Sequence, residues 1–314
     1  MKKAYITGIS GFAGSYLAEF LLQNDYRVGG THISDNTQNI DHIKQEIELH
    51  KVDLMDMEAV ERNLDSFSPD IIFHLAALTS PAESFKDPSK VFTNNIAAQL
   101  NLFEAVRKSS NNPRILITSS AEIYGLVTAS DLPISEDTQM RPGSPYAVSK
   151  IAQDYLGLQY NLSYGMDIIR VRPFNHIGPR QTGQFVVASF AKQIAEIEKN
   201  GEGKIKVGNL EAKRDFTDVR DMVKAYEILG RLGAPGEAYN AGSGVSHKIS
   251  QILYLLLENS KQKIEVEIDP SKLRPSDVPD IRSDNTKIEK LGWKPEIELD
   301  KTLKDTLDYW RDVV

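Results

Sequence analysis

The stretch Lys3-Ala4-Tyr5-Ile6-Thr7-Gly8-Ile9-Ser10-Gly11-Phe12-Ala13-Gly14 decides the fold, together with Tyr16, Leu17, Phe20 and Leu21 that follow at helical spacing. Lys3 to Thr7 reads as a short buried strand. The glycine-rich turn then leads into a helix N-terminus. Glycine lets the backbone approach a ligand closely, and the helix dipole favours an anion there. Strand, glycine turn and helix start, in that order, predict a cradle for the pyrophosphate of a dinucleotide, with Gly8, Gly11, Phe12, Ala13 and Gly14 as its contacts. The spacing is G-x-x-G-x-x-G rather than G-x-G-x-x-G, and a glycine turn without a ligand is the plainer alternative.

Outward from this turn, strand and helix patterns alternate. A second strand runs from Tyr26 to about Ile33. An acid at its end would bind the adenosine ribose and an arginine would favour a 2′-phosphate. Thr31, His32 and Ser34 stand there, with Asp35 past the strand, so NADH and NADPH both stay open. The third strand, Glu48 to Leu54, ends in Asp53-Leu54. That carboxylate suits an adenine amino group or the cap of a helix starting near Asp56. The fourth, Asp70 to Leu75, is an apolar run suited to burial on both faces. It ends in His74-Leu75-Ala76-Ala77, where small residues let a cofactor pass and His74 reads as a packed residue rather than a base. A helix from Pro88 to Lys108 carries Asn95. A fifth strand, Arg114 to Thr118, ends in Ser119-Ser120-Ala121-Glu122, and a sixth runs from Met166 to Arg172. The expected fold is α/β, a doubly wound parallel Rossmann-type sheet that binds ligands at the carboxyl ends of its strands.

Tyr146-Ala147-Val148-Ser149-Lys150 follows a proline-rich loop, Leu126 to Ser144, that reads as a flap. A tyrosine and a lysine four residues apart share one helix face. An ammonium beside a phenol stabilises tyrosinate and lowers its pKa. Such a tyrosine exchanges protons with a carbonyl/alcohol pair, and Ser120 at a neighbouring strand end suits the same oxygen.

Composition narrows the classes. The 314 residues are 40% hydrophobic and 26% charged, which is globular and long enough for two lobes. There is no cysteine, so neither a disulfide nor a thiolate metal site; no metal site is expected. The formal charge of −7 speaks against nucleic-acid binding. Apolar runs are too short for a membrane span, and the segment behind Lys2 and Lys3 is too short for a signal peptide, so a cytoplasmic protein is expected. After Arg172 the alternation loosens through Val207-Gly208-Asn209-Leu210, Lys213-Arg214-Asp215-Phe216 and Arg274-Pro275-Ser276-Asp277. This half reads as a smaller α+β substrate-binding lobe towards the C-terminus. The expected division is 1–172 plus about 216–244 for the dinucleotide domain, and about 173–215 plus 245–314 for the lobe.

Together, Gly8/Gly11/Gly14, Asp53-Leu54, Leu75-Ala76-Ala77, Asn95, Ser120, Tyr146/Lys150 and Arg172-Pro173-Phe174-Asn175 resemble the extended short-chain dehydrogenase/reductase family over essentially the whole chain. The Val207 to Asp215 segment and Arg274 to Asp277 look like its branch acting on GDP-6-deoxyhexoses. Within that branch, Asn175-His176-Ile177-Gly178-Pro179 and Gln184 to Ala188 look like the reductases of GDP-4-dehydro-6-deoxy-D-mannose. The resemblance implies reduction of a C4 ketone by NADPH or NADH to give GDP-D-rhamnose. Ser120, Tyr146 and Lys150 would be catalytic. Cofactor contacts would come from the glycine turn, His32, Asp53, Leu54, Leu75, Ala76, Ala77, Asn95, Tyr146, Lys150, Pro173 and His176. Ser84, Ser120, Ala121, Glu122, Asn175, Arg180, Asn209, Leu210, Arg214, Arg274 and Asp277 would meet the GDP-4-keto-6-deoxyhexose. It implies a homodimer built on the Pro88 and Tyr146 helices. Glu122 cuts the other way, since it falls where the GDP-mannose 4,6-dehydratases of this branch carry their base. The Tyr146/Lys150 pair equally suits reductases or epimerases of UDP- or dTDP-sugars, and the fold alone would suit a dinucleotide-sensing regulator without turnover.

Overall fold

The glycine turn joins β1 (Lys3–Thr7) to α1 (Phe12–Gln23) in the computed structural model, which describes residues 1–272 and 278–314. The chain continues through β2 (Arg27–His32), β3 (Glu48–Lys51), α2 (Met57–Phe67), β4 (Ile71–His74), α3 (Pro81–Lys86), α4 (Pro88–Lys108), β5 (Arg114–Thr118), α5 (Pro145–Tyr164) and β6 (Ile168–Pro173). Proline opens α3, α4 and α5, where its missing N–H is no loss. Ser80, Asp87 and Ser144 cap these helices by accepting from the N–H groups of Glu83, Lys90 and Ala147. Next come β7 (Asn175–Ile177), α6 (Val186–Asn200), β8 (Lys204–Val207), β9 (Lys213–Asp218), α7 (Val219–Leu232) and β10 (Ala238–Ala241). The chain ends with β11 (Ser246–Lys248), α8 (Ile249–Glu258), β12 (Glu265–Ile268), β13 (Asp280–Ile281), α9 (Thr286–Glu289) and α10 (Leu299–Val313).

Seven strands form a parallel sheet in the order β10-β6-β5-β4-β1-β2-β3. The strand order reverses at β1, between β2 and β4, so connections leave to opposite faces and open a crevice at the carboxyl ends. Both faces are buried, which explains the apolar strands. Ile6, Phe73, Leu116 and Val171 pack with α1 and α7. Tyr5, Ile72, Ile115 and Ile117 pack with α2 and α4. A second core gathers Val187, Phe190, Ile205, Phe216, Ile252 and Leu303 from α6, β8, β9, α8 and α10. Among the described residues, no helix is long and apolar enough to cross a membrane.

The smaller half holds more strand than its pattern suggests. β9 is flanked by β11 and β13, and β7 pairs with it as well. These are short, largely polar segments whose pairing is non-local. Asp215 ties them together: it accepts from the Ser243 N–H and Oγ at 2.7 and 2.6 Å, and from the Ser283 N–H and Oγ at 3.0 and 2.6 Å. β3 stops at Lys51, so Asp53 and Leu54 lie beyond it. Asp53 accepts from the Met55 N–H, while Asp56 caps α2. Ile288 and Trp293, assigned above to the smaller lobe, pack instead into the core of the large sheet. The Trp293 indole N–H donates to the Asp221 carbonyl at 2.9 Å, which brings the chain back to α7.

A buried ion cluster fastens α5 to β6. Asp154 accepts two bonds from Arg172, at 2.9 and 3.0 Å, and one from Arg170 at 2.5 Å. Asp154→Ala would strand two buried guanidinium groups, and the expected cost is about 3–5 kcal/mol. Urea unfolding followed by tryptophan fluorescence measures it. A loss below about 1 kcal/mol would mean that neighbouring carbonyls suffice for both arginines.

Candidate active site

A cleft of about 1230 Å³ runs along the carboxyl ends of β1, β2, β4, β5 and β6 and is walled opposite by α6, β8 and β9. Gly8, Gly11, Phe12, Ala13 and Gly14 line its floor. Gly8 has φ +75°, and a Cβ on Gly14 would collide with the Gly8 carbonyl oxygen, so neither position accepts a side chain. The start of α1 is capped by Gly11 with no side-chain hydrogen bond, which leaves its dipole facing the cleft. The chain thus fits a dinucleotide, with a backbone cradle for a pyrophosphate and apolar walls formed by Leu54, Leu75, Ala76 and Ala77.

At the far end Ser120, Tyr146 and Lys150 share one wall. Ser120 lies just past β5 and its Oγ accepts from the Glu122 N–H at 3.1 Å. Tyr146 and Lys150 sit in the first turns of α5, 6% and 2% exposed. The Lys150 ammonium donates to the Thr118 carbonyl at 2.8 Å. The electrostatics reverse the expectation from the Tyr/Lys spacing. Burial raises the Tyr146 phenol well above its ordinary value, the Ser120 hydroxyl works against that rise, and the Glu122 carboxylate adds to it. Burial also pulls Lys150 down to about 7. Desolvation is the largest cause in both groups and disfavours the charged form of each. His74 is a packed residue, as expected. It is 2% exposed, its Nδ1 pairs with Thr7 Oγ1 at 2.8 Å, and burial lowers its pKa to about 3.

His32, Asp53, Pro173, Asn175, His176, Glu122, Asn209 and Arg214 also line the cleft. The His176 ring stacks on Phe12 with centroids 5.8 Å apart, joining β7 to the glycine turn, and burial lowers its pKa. Arg214 donates to the Lys213 and Val278 carbonyls at 2.8 and 2.7 Å.

Five expected contacts do not line it. Asn95 is fully buried: it accepts from the Leu78 N–H at 2.8 Å and donates to the Leu78 carbonyl and Ser149 Oγ, both at 3.1 Å. It therefore positions the loop after β4 against α5. Ser84 is buried with its hydroxyl on the Pro81 carbonyl at 2.6 Å. Ala121 packs in the cluster around Tyr124 and Phe174. Arg180 pairs with Glu19 at 2.6 Å and covers the Tyr16 ring. Leu210 packs on the second core. Arg274 and Asp277 lie outside the described residues.

The structure adds residues that the motifs missed. Lys206 and Lys272, both exposed, line the cleft as Arg214 does, and the Lys272 ammonium donates to the Lys206 carbonyl at 2.7 Å. Strand alternation in β8 shows only that Lys206 faces away from Ile205 and Val207. Phe85 and Leu126, half exposed, stand at its mouth, and Tyr226 of α7 reaches it from beneath the sheet. Helical spacing gave no cue for Tyr226, whose neighbours on its face are core residues.

A buried amine held at about 7 costs stability. Unfolded, the lysine keeps its ordinary value near 10.4. Below about 7 the cost is full, and it fades as the pH rises from about 7 towards 10, where the unfolded lysine also loses its proton. Lys150→Met removes this dependence. The stability of the variant relative to the native protein is expected to fall on the order of 3 kcal/mol between neutral pH and about pH 10. Denaturant melts at the two pH values measure this. An unchanged difference would mean that the amine is not desolvated.

The comparisons with known proteins agree with this architecture. The model of the GDP-mannose 4,6 dehydratase family matches residues 5–306. GDP-6-deoxy-D-mannose reductase of Pseudomonas aeruginosa is 33% identical over 315 residues, covering 100% of this chain and 98% of that protein. GDP-mannose 4,6 dehydratase 1 of Arabidopsis thaliana is also 33% identical, over 98% of this chain and 89% of its own. The solved structure of RMD from Pseudomonas aeruginosa complexed with NADPH superposes with a TM-score of 0.88 at 32% identity, over 100% of both chains. With this fold, this cleft and a match along nearly its full length, the chain belongs to the GDP-mannose 4,6-dehydratase family of nucleotide-sugar enzymes.

Proposed function

We propose that the chain reduces the C4 ketone of GDP-4-dehydro-6-deoxy-D-mannose with NADPH or NADH and releases GDP-D-rhamnose. The observation that carries this reading is a buried Tyr146 that lines the cleft together with Ser120 and Lys150. Ketone reduction needs a proton donor at the oxygen, and a phenol, neutral below about pH 10, is such a donor. The cofactor, when bound, supplies the hydride; Ser120 and Tyr146 orient the ketone, and Tyr146 delivers the proton to its oxygen. Lys150 holds the cofactor ribose. Arg214, Lys206 and Lys272 meet the diphosphate, where charge-assisted bonds are strongest. The two-lobe division stands in this reading, with residues 286–293 moved to the dinucleotide domain. So does a cytoplasmic homodimer through α4 and α5, on which Tyr155 and Leu162 are exposed.

Glu122 favours a second reading. Its side chain lines the same wall and its charge acts on Tyr146. In a dehydratase this carboxylate would remove the sugar's C5 proton.

Purified protein with each reduced cofactor and GDP-4-keto-6-deoxy-D-mannose should oxidise the cofactor and give GDP-D-rhamnose by NMR. A parallel sample with GDP-mannose alone tests the second reading: a 4-keto sugar there, without oxidation in the first, overturns the reductase. Tyr146→Phe is expected to lower turnover roughly 10²- to 10⁴-fold with cofactor affinity nearly intact. Arg214→Ala should raise the substrate's KM far more than the cofactor's; equal increases would remove Arg214 from the diphosphate site.

A further inference from the structure

Helix α7 runs antiparallel to the strands of the large sheet. Val219, its first residue, lies against Gly178, next to the cleft residue Ile177, and Gly230 lies against Ile71 at the start of β4. Helical side chains lean towards the helix N-terminus, so Tyr226 points up towards the cleft. It belongs to the core with Phe73, Leu116 and Val171 and is 1% exposed, and yet it lines the cleft. The sliver of surface it keeps is therefore cleft surface. Its hydroxyl makes no hydrogen bond with any other described residue. Other buried tyrosines are paired: the Tyr124 hydroxyl donates to Asn240 Oδ1 and the Tyr160 hydroxyl to Glu104 Oε1, both at 2.7 Å. The Tyr5 hydroxyl has no partner either, but it is sealed in the core and does not line the cleft. A nearly buried hydroxyl that opens only onto a cleft gains a partner when the cleft is filled.

Building on the dinucleotide reading of this cleft, we infer that Tyr226 is a positioning residue: its hydroxyl holds the carboxamide of the nicotinamide ring and so fixes how the ring is turned beside Tyr146. Burial and the Tyr146 phenol act on the Tyr226 hydroxyl, and both push its pKa upward. The influence of Tyr146 puts the two phenols at the same end of the cleft. No cation acts on Tyr226 with them, so the hydroxyl suits a neutral partner rather than a phosphate. The carboxamide is the neutral polar group on the ring that carries the hydride. It offers an acceptor and a donor, and a phenol hydroxyl can serve either. The two phenols come from opposite faces of the sheet. Tyr226 rises from the face of Phe73 and Leu116, whereas α5 packs through Tyr160 on the face of Ile115 and Ile117. A ring between them, with its carboxamide towards α7, turns one face to Tyr146. Rotating the ring half a turn about its glycosidic bond would present the other face and carry the carboxamide away from Tyr226. One bond from beneath the sheet thus favours one face for hydride transfer.

The test is equilibrium binding by calorimetry, using the full chain without sugar substrate. The ligands are NADPH and NADH and their counterparts without the nicotinamide ring, 2′-phospho-ADP-ribose and ADP-ribose. Tyr226→Phe removes the hydroxyl and keeps the buried ring. It is expected to weaken the dinucleotides about tenfold, the worth of one hydrogen bond, and to leave the ring-less ligands unchanged. The melting temperature of the unliganded variant should equal or exceed the native one, because no protein partner is lost. Tyr226→Met, which fills the space without a hydroxyl, should show the same selective loss and serves if Tyr226→Phe is unstable. Equal dinucleotide affinities in native and variant proteins overturn the inference. So does a parallel loss for the ring-less ligands, which would make the hydroxyl a general support of the cleft. Failure of the native protein to bind any of the four ligands overturns the reading of the cleft as well.

Discussion

Helix α5 is held against the sheet by bonds that also set the chemistry. The Lys150 ammonium reaches the Thr118 carbonyl at the end of β5. One turn further, Asp154 clamps Arg170 and Arg172 on β6. Beside Lys150, Ser149 meets Asn95 of α4. A helix fixed at two successive turns has little freedom to rotate, so Tyr146 comes to rest against the Ser120 loop. The same network reaches outward: Arg172 donates to the Tyr124 hydroxyl at 3.0 Å and to the Glu136 carbonyl at 2.8 Å. The loop carrying Ser120 and Glu122, and the segment that covers it, therefore hang on the buried charges of α5 and β6.

This arrangement places polar groups where water is excluded. A phenol pushed upward and an amine pulled down to about 7 are both disfavoured as ions by desolvation. At neutral pH the amine alone costs stability, since a phenol is neutral whether folded or unfolded. The opposite wall follows different rules. Lys206, Lys272 and Arg214 give the cleft a local positive side in a chain of net charge −7. Net charge and site charge are separate properties, because a few cations gathered on one wall set the local field whatever the sum over the chain.

Legibility followed locality. The glycine turn could be read because its requirements, close approach at Gly8 and Gly14, are met within a dozen residues. The Tyr146/Lys150 pair could be read because helical periodicity places both on one face. Asn95, Ser84 and Arg180 resembled ligand contacts only by their place in motifs. Each has a protein partner that the motif does not name: Leu78, Pro81 and Glu19. The short strands β7, β9, β11 and β13 were opaque for a related reason, since their partners lie tens of residues away.

By itself the sequence determined the parallel α/β sheet, the nucleotide cradle and the placing of serine, tyrosine and lysine at one end of that sheet. Alternating apolar segments and glycine geometry act over short distances, and local rules are enough to read them. Only the tertiary structure decided the ionisation of the site. A spacing of four residues shows that a lysine stands near a tyrosine but says nothing about how much water either retains. Burial decides that: where the spacing suggested a lowered phenol pKa, desolvation raises it. Tertiary packing also decided which polar residues face the cleft and which are consumed in holding it together.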